Sequence, residues 1–169
     1  MLFRSGPAQK LRYQPLNWSL EREAELERLV VLAYTGIRRV ARNLLQQVVG
    51  SYLARETHTV QVLHSIKTLA LEMAHAMQDG EWDTLGALMN RHWELNQRMD
   101  PHTTNAPVQA LLDRARPLIR GAKLAGAGGG GFMIFLARSE EAAAELRSAM
   151  NATDWQIARD GLRIQRTPL

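Results

Sequence analysis

Five of the chain's twelve glycines fall between positions 126 and 131. Glycine weakens the interior of helices and strands, so this segment has to be a loop. The full stretch reads Lys123-Leu-Ala-Gly-Ala-Gly-Gly-Gly-Gly-Phe-Met-Ile-Phe135, and an apolar run from Phe132 to Ala137 follows the last glycine at once. Glycine at this density strips the side chains from one side of the loop and opens its peptide N–H groups to a bulky anion, phosphate first, or to another backbone. The alternative is a tight strand-to-strand connection that needs glycine only for positive φ. Four consecutive glycines are more than a turn requires, which favours a ligand or another domain lying close by.

Gly126, Gly128 and Gly131 formally satisfy G-x-G-x-x-G. A dinucleotide site needs those glycines to open a helix, with an acid about twenty residues on. Phe-Met-Ile-Phe-Leu is instead short, aromatic and apolar, the signature of a buried strand. No Lys-Ser or Lys-Thr follows the glycines, so the P-loop of nucleoside triphosphatases does not match either.

At 169 residues, with 46% hydrophobic and 22% charged, the chain is long enough to bury one real core. Its formal charge of +4 is spread over a pair at Arg38 and Arg39, a loose group at Arg114, Arg116 and Arg120, and a third group at Arg159, Arg163 and Arg166. With three Phe, three Tyr and four Trp and no basic-aromatic interleaving, this is a solvated surface rather than a nucleic-acid surface. The absence of cysteine excludes disulfides, zinc–thiolate sites and a thiol nucleophile. Histidines stand at positions 58, 64, 75, 92 and 102; His64 and His75 are eleven apart, three helical turns, and neither has a partner three or four residues on that would complete a metal site. Met1-Leu-Phe-Arg-Ser-Gly-Pro lacks the apolar core of a signal peptide, and no run approaches the roughly twenty apolar residues of a membrane span. These features predict a soluble cytoplasmic protein.

Residues 1–15 read as a tail or the cut end of a longer chain, and residues 16–169 as one domain. Ser19 is placed to cap a helix from Glu21 to Leu29. A strand from Leu29 to Tyr34 ends at Thr35-Gly36. Helical periodicity then runs from Ile37 to Leu53 and from Thr57 to Met77, the latter with Leu63, Ile66, Ala70, Met73 and Met77 on one face. A third helix begins near Trp82, and His92 and Asn96 fall on its Trp82–Leu85–Met89 side. They are either hydrogen-bonded core side chains or the lining of a ligand site. Asp100-Pro-His-Thr-Thr-Asn105 has turn chemistry, with Asp100 either capping the turn or meeting a sugar hydroxyl. Thr104 or Asn105 caps a helix running to Ala115, which Pro117 closes. Strands at Gly121–Ala125 and Gly131–Ala137 flank the glycines. Ser139 caps a helix from Glu140 to Met150, and Trp155–Ala158, Asp160-Gly161 and Leu162–Gln165 read as a hairpin. The order predicts an α+β fold, a ferredoxin-like antiparallel sheet with helices on one face and an inserted helical layer.

Lys123-Leu-Ala-Gly-Ala-Gly-Gly-Gly-Gly-Phe132 resembles the third, C-terminal motif of the GHMP kinases, which phosphorylate small molecules. Tyr34-Thr-Gly-Ile-Arg-Arg-Val-Ala-Arg-Asn-Leu-Leu45, Trp93-Glu-Leu-Asn-Gln97 and Asp100-Pro-His-Thr-Thr-Asn105 are most similar to the L-fucokinase branch, including the kinase part of bifunctional fucokinase/GDP-fucose pyrophosphorylases. The heptose 7-phosphate 1-kinase branch is similar in Tyr34-Thr-Gly36 and in Gly126 to Phe135. The resemblance spans about Leu16 to Leu169 and covers the C-terminal lobe of such a kinase. It implies transfer of the γ-phosphoryl of MgATP to the anomeric hydroxyl of L-fucose, with ATP and Mg held mainly by an N-terminal lobe. That lobe's Pro-x-x-x-Gly-Leu-Gly-Ser-Ser-type loop has no counterpart in this sequence.

By the same resemblance the N–H groups of Gly126, Ala127, Gly128, Gly129 and Gly130 face the triphosphate. Thr35, Gly36, Asn96, Asp100 and Asn105 line the sugar side, and Gly131 and Phe132 are structural. No residue here is implied as catalytic, so the chain by itself is expected not to turn over. The N-terminal lobe would be supplied in cis or in trans, and the lobe interface would be left free for self-association. The competing reading is a stand-alone, non-catalytic binding or interaction module of the same fold.

Overall fold

The computed structural model describes residues 2–5, 11–14, 16, 18–38, 42–126, 128–150 and 152–158. Two short strands, β1 (Leu2–Ser5) and β2 (Leu11–Gln14), pair antiparallel, with Leu2 opposite Gln14. Four-residue strands hold only two alternations each, which is why this segment shows no period in the sequence. Helix α1 (Leu20–Leu29) starts at Ser19, whose Oγ accepts the Arg22 N–H at 3.2 Å, and it runs straight into β3 (Val30–Tyr34). Three helices follow: α2 (Arg42–Leu53), α3 (Thr57–Asp79) and α4 (Trp82–Met99). A 3-10 turn, Pro101–Thr103, leads to α5 (Ala106–Ala115), and a second, Arg116–Leu118, leads to β4 (Ile119–Leu124). Then come β5 (Phe132–Ala137), α6 (Glu140–Met150) and β6 (Ala152–Thr153).

The main sheet has the order β4-β5-β3-β6 with every neighbour antiparallel, so two split β-α-β units interleave in the expected ferredoxin-like way. Its central strands are apolar at successive positions because both faces are covered. Val31 and Ala33 of β3 and Met133 and Phe135 of β5 pack with Val108 of α5 and with Ala143 and Leu146 of α6. On the other face, Val30 and Leu136 pack with Leu26 of α1 and with Trp82, Leu85 and Met89 of α4. Helices therefore occupy both sides of the sheet, not one as the sequence order suggested; the run of helices inserted between β3 and β4 supplies the second layer. A sheet buried on both faces has no polar side to show as alternation.

The buried face of α3 is Thr59, Val62, Leu69 and Ala76, while Ala70 is exposed. The predicted stripe is thus rotated, with Leu63, Ile66, Met73 and Met77 at its margins. Val62 and Leu69 meet Leu95 of α4. Gly80 ends α3 in the left-handed conformation at φ 74°, its N–H bonded to Ala76 O.

Helix α4 lies against the edge strand β4 with their backbones in contact. A Cβ on Gly121 would sit 2.0 Å from Gly86 O, and one on Gly86 would sit 2.6 Å from Arg120 Cβ. One turn on, Asn90 Oδ1 accepts the Ala122 N–H at 3.0 Å and its Nδ2 donates to Arg120 O at 3.2 Å. That carboxamide stands where another strand would pair and blunts the edge.

Residues 154–158 form no strand. Trp155 Nε1 donates to Val30 O at 3.1 Å and the Ile157 N–H to Glu27 Oε1 at 2.7 Å, so side-chain bonds to α1 and β3 replace a ladder. The second half of the expected hairpin, Asp160–Gln165, lies outside the described residues. None of the described helices is long and apolar enough to cross a membrane.

Candidate functional site

The glycine segment joins β4 to β5, starting from the Leu124–Met133 pair and the Ala125 N–H bonded to Phe132 O at 2.8 Å. Gly126, Gly128, Gly129 and Gly131 have φ of 76°, 92°, 76° and 88°, values an L side chain adopts only at a cost. Close approach adds a second demand. A Cβ on Gly128 would lie 2.7 Å from Thr103 Cβ, and one on Gly130 would lie 2.7 Å from Ile37 O.

Two other loops clamp this segment. From the end of β3, the Thr35 N–H donates to Gly131 O at 2.8 Å, and the Gly131 N–H donates to Ile37 O at 2.9 Å. From the end of α4, Thr103 O accepts the Gly129 N–H at 2.6 Å, and Asn105 Nδ2 donates to Gly129 O at 2.9 Å. The N–H of Gly129 is thereby turned inward. Those of Gly126, Gly128 and Gly130 have no acceptor among the described residues.

Asp100, only 5% exposed, orders the second clamp. Its Oδ1 accepts the His102 N–H at 2.7 Å, and the His102 Nδ1 lies 2.9 Å from the same oxygen. Thr103 binds back to Asp100 O through its N–H at 3.0 Å and its Oγ1 at 2.9 Å. The Asp100 N–H in turn donates to Asn96 O at 3.0 Å. The structure thus brings Thr35, Asn105 and, one step removed, Asp100 and Asn96 onto the glycine segment. Gly36, exposed at φ 76°, follows Thr35 at the mouth of β3. Ala127 lies outside the described residues.

Of two basic groups on β4 and α4, Lys123 was given no role from sequence, whereas His92 was one of the two polar positions marked on the third helix. Lys123, at the end of β4, is half-buried, and burial lowers its pKa. His92 on α4 is held neutral: burial first and the Lys123 charge second bring its pKa down to about 4. Its Nδ1 is buried without a hydrogen-bond partner among the described residues, as is Oγ1 of Thr104 between the two clamp residues. The polar positions predicted on α4 are therefore real. They are not the satisfied core pair that one reading offered, because His92 keeps an orphaned nitrogen.

Tyr34 and Phe132, cross-strand partners flanking the segment, remain 44% and 38% exposed with ring centroids 5.3 Å apart. No group of three or more His, Cys, Asp or Glu able to hold a metal ion occurs among the described residues.

Residues 73–154 match the family model described as GHMP kinases C terminal. A mevalonate kinase from L. major, solved in complex with R-mevalonate, has the same fold, with a TM-score of 0.62 and 23% identity over 71% of this chain and 37% of that one. Residues 73–154 of this chain therefore carry the C-terminal domain of the GHMP kinases. It is 35% identical over 145 residues, 86% of its length, to the bifunctional fucokinase/GDP-fucose pyrophosphorylase of Arabidopsis thaliana. It is 28% identical over 115 residues, 66% of its length, to the D-glycero-alpha-D-manno-heptose 7-phosphate kinase of Campylobacter jejuni. The chain spans 14% of the first relative's length and 33% of the second's.

Proposed function

We propose that this chain is the C-terminal lobe of an ATP-dependent sugar kinase that phosphorylates the anomeric hydroxyl of L-fucose. The observation that carries the reading is the clamped glycine segment. Its shape is set by Thr35, Ile37, Thr103 and Asn105, and three glycine N–H groups, those of Gly126, Gly128 and Gly130, are left for an outside acceptor. Fixed peptide dipoles of this kind stabilise phosphate oxygens without reorganising as charge develops. The greater similarity to the fucokinase than to the heptose kinase, 35% against 28%, favours fucose as the sugar.

In the reaction the anomeric hydroxyl loses its proton to solvent as its oxygen bonds to the γ-phosphorus, the bond from that phosphorus to the β–γ bridging oxygen breaks, and ADP leaves. Such transfers depend on positioning and charge stabilisation more than on covalent chemistry. Gly126, Gly128 and Gly130 serve the phosphates, while Gly129 serves the clamp. Thr35, Gly36, Asn96, Asp100 and Asn105 border the sugar. Mg and most of the triphosphate are held by another lobe, in cis or in trans, and Tyr34 and Phe132 lie where that lobe closes over the segment. On this reading the 169 residues alone do not turn over.

Heptose 7-phosphate is the second reading, favoured by the similarity to the Campylobacter jejuni relative. The native gene product, incubated with MgATP and either L-fucose or heptose 7-phosphate and analysed by phosphorus NMR, separates the two. Fucose 1-phosphate is the expected product. Phosphorylation of the heptose alone would establish the second reading, and no product from either sugar would refute both.

A further inference from the structure

At the end of the sheet opposite the glycine segment, where Ile119 pairs with Ala137, a cleft of about 420 Å³ opens between α4, α5 and β4. From there it runs along α4 and α5 to Gln97 and Gln109, whose N–H donates to Asn105 O at 2.9 Å, and no glycine of the segment lines it. Three elements each contribute an arginine to its lining: Arg116 from the turn after α5, Arg120 from β4 and Arg138 just past the end of β5. Trp93, 6% exposed, forms part of its wall, and the carboxamides of Gln97 and Gln109 line it.

The charges in the cleft do not cancel. Among its described lining residues Glu94 alone is acidic, and that carboxylate faces Arg91 at 3.4 Å. Arg120 is immobilised, with 20% of its side chain exposed, its Nε on Asp83 at 2.8 Å and a terminal nitrogen on Ala137 O. Two of five N–H donors are committed there, which leaves others for a ligand. Arg116 holds Asp113 at 3.1 Å on the rim. Arg138, exposed, has no ion-pair partner among the described residues. Guanidinium groups with a pre-set partner geometry and spare donors are suited to bidentate phosphate oxygens. The volume and the indole wall leave room for an organic portion as well.

We propose that this cleft is a second binding site, separate from the glycine segment, for a small phosphorylated organic ligand. The proposal does not depend on the kinase reading, since none of its residues belongs to that site.

The test is an NMR titration of the chain at fixed ionic strength with ribose 5-phosphate and, separately, with inorganic phosphate, following the Trp93 indole and the Gln97 and Gln109 side-chain amides. Ribose 5-phosphate should shift these signals saturably and bind more tightly than inorganic phosphate. The double variant Arg116→Gln, Arg138→Gln, altered at two exposed side chains, should weaken that binding by about tenfold or more. Gly128→Ala should leave it unchanged. Equal affinity for inorganic phosphate would overturn the organic part of the assignment. Unsaturable shifts, undiminished binding in the double variant, or shifts confined to the glycine amides would overturn the site itself.

Discussion

The Asn105 side chain ties α5 to a glycine 24 positions away: its Oδ1 accepts the Val108 N–H at 3.1 Å while its Nδ2 donates to Gly129 O at 2.9 Å. One carboxamide therefore starts a helix and holds the candidate phosphate segment. The two roles need opposite hydrogen-bonding groups, an acceptor for the cap and a donor for the loop, which asparagine supplies on a single planar group.

Asn105→Asp separates these roles. It keeps the capping oxygen and adds a charge favourable to the helix N-terminus, but it places an acceptor against Gly129 O. The expected loss is about 1–3 kcal/mol, read by denaturant unfolding, with faster hydrogen exchange at the Gly129 and Gly131 amides and an undisturbed α5. Asn105→Ala should lose the cap as well and accelerate exchange in the first turn of α5. Equal stability and exchange in Asn105→Asp and the native chain would show that the loop bond is not maintained.

The glycines should divide by what surrounds them. Gly126→Ala places a methyl in open space at φ 76° and should cost about 1–2 kcal/mol, the price of the left-handed conformation. Gly121→Ala would drive a methyl to 2.0 Å from Gly86 O, where only movement of α4 off β4 relieves the clash. A loss of roughly 3 kcal/mol or more, or failure to fold, is expected. Thermal unfolding of the two variants side by side checks the order, and equal costs would contradict the close contact of α4 with β4.

His92 makes stability depend on pH. Its folded pKa of about 4 lies below the ordinary histidine value of 6.5, so between those values the unfolded chain binds the proton that the folded chain refuses. Stability is full above about pH 6.5, falls as pH drops through the window, and levels off below about 4. His92→Gln should flatten that part of the profile in urea unfolding measured from pH 7 to pH 4. Lys123→Met, which removes the smaller cause, should leave the onset near pH 6.5 and move the levelling-off slightly to higher pH, making the total loss smaller. A slope unchanged in His92→Gln would assign the pH dependence to other groups.

Much of the fold was legible because its signals are local. Ser19, Asn105 and Ser139 each accept the N–H three residues on, as their positions before apolar-periodic runs predicted. The β4-glycine-β5-α6 order followed from the abrupt change from glycine to Phe-Met-Ile-Phe and then to Ser-Glu-Glu. What failed was non-local. The buried face of α3 is chosen by α4, and two apolar stripes one residue apart look alike until Leu95 selects Val62 and Leu69. Trp155 looked like a strand residue because aromatics favour strands, yet its indole N–H is drawn to Val30 O.

The site divides in the same way. The glycines, Thr35 and Asn105 were visible because their residue types are needed for φ, close approach or capping. Asp100 does cap the turn at His102, one of the two roles its neighbours allowed. The carbonyls of Ile37 and Thr103 were not visible, since every residue carries one and only the folded chain shows which two reach the glycines. Lys123 opened the glycine motif in the sequence, but its burial and the effect of its charge on His92 depend on α4 crossing β4.

The central claim is that the clamped glycines serve phosphoryl transfer, and fucose-dependent ADP release by the native gene product tests it most directly when compared with its Gly128→Ala form. A methyl there meets Thr103 at 2.7 Å and displaces the segment from its clamp. The account predicts that the native protein releases ADP with L-fucose and that the variant, still folded by circular dichroism, loses about 100-fold or more in turnover. Undiminished turnover in the folded variant would contradict it.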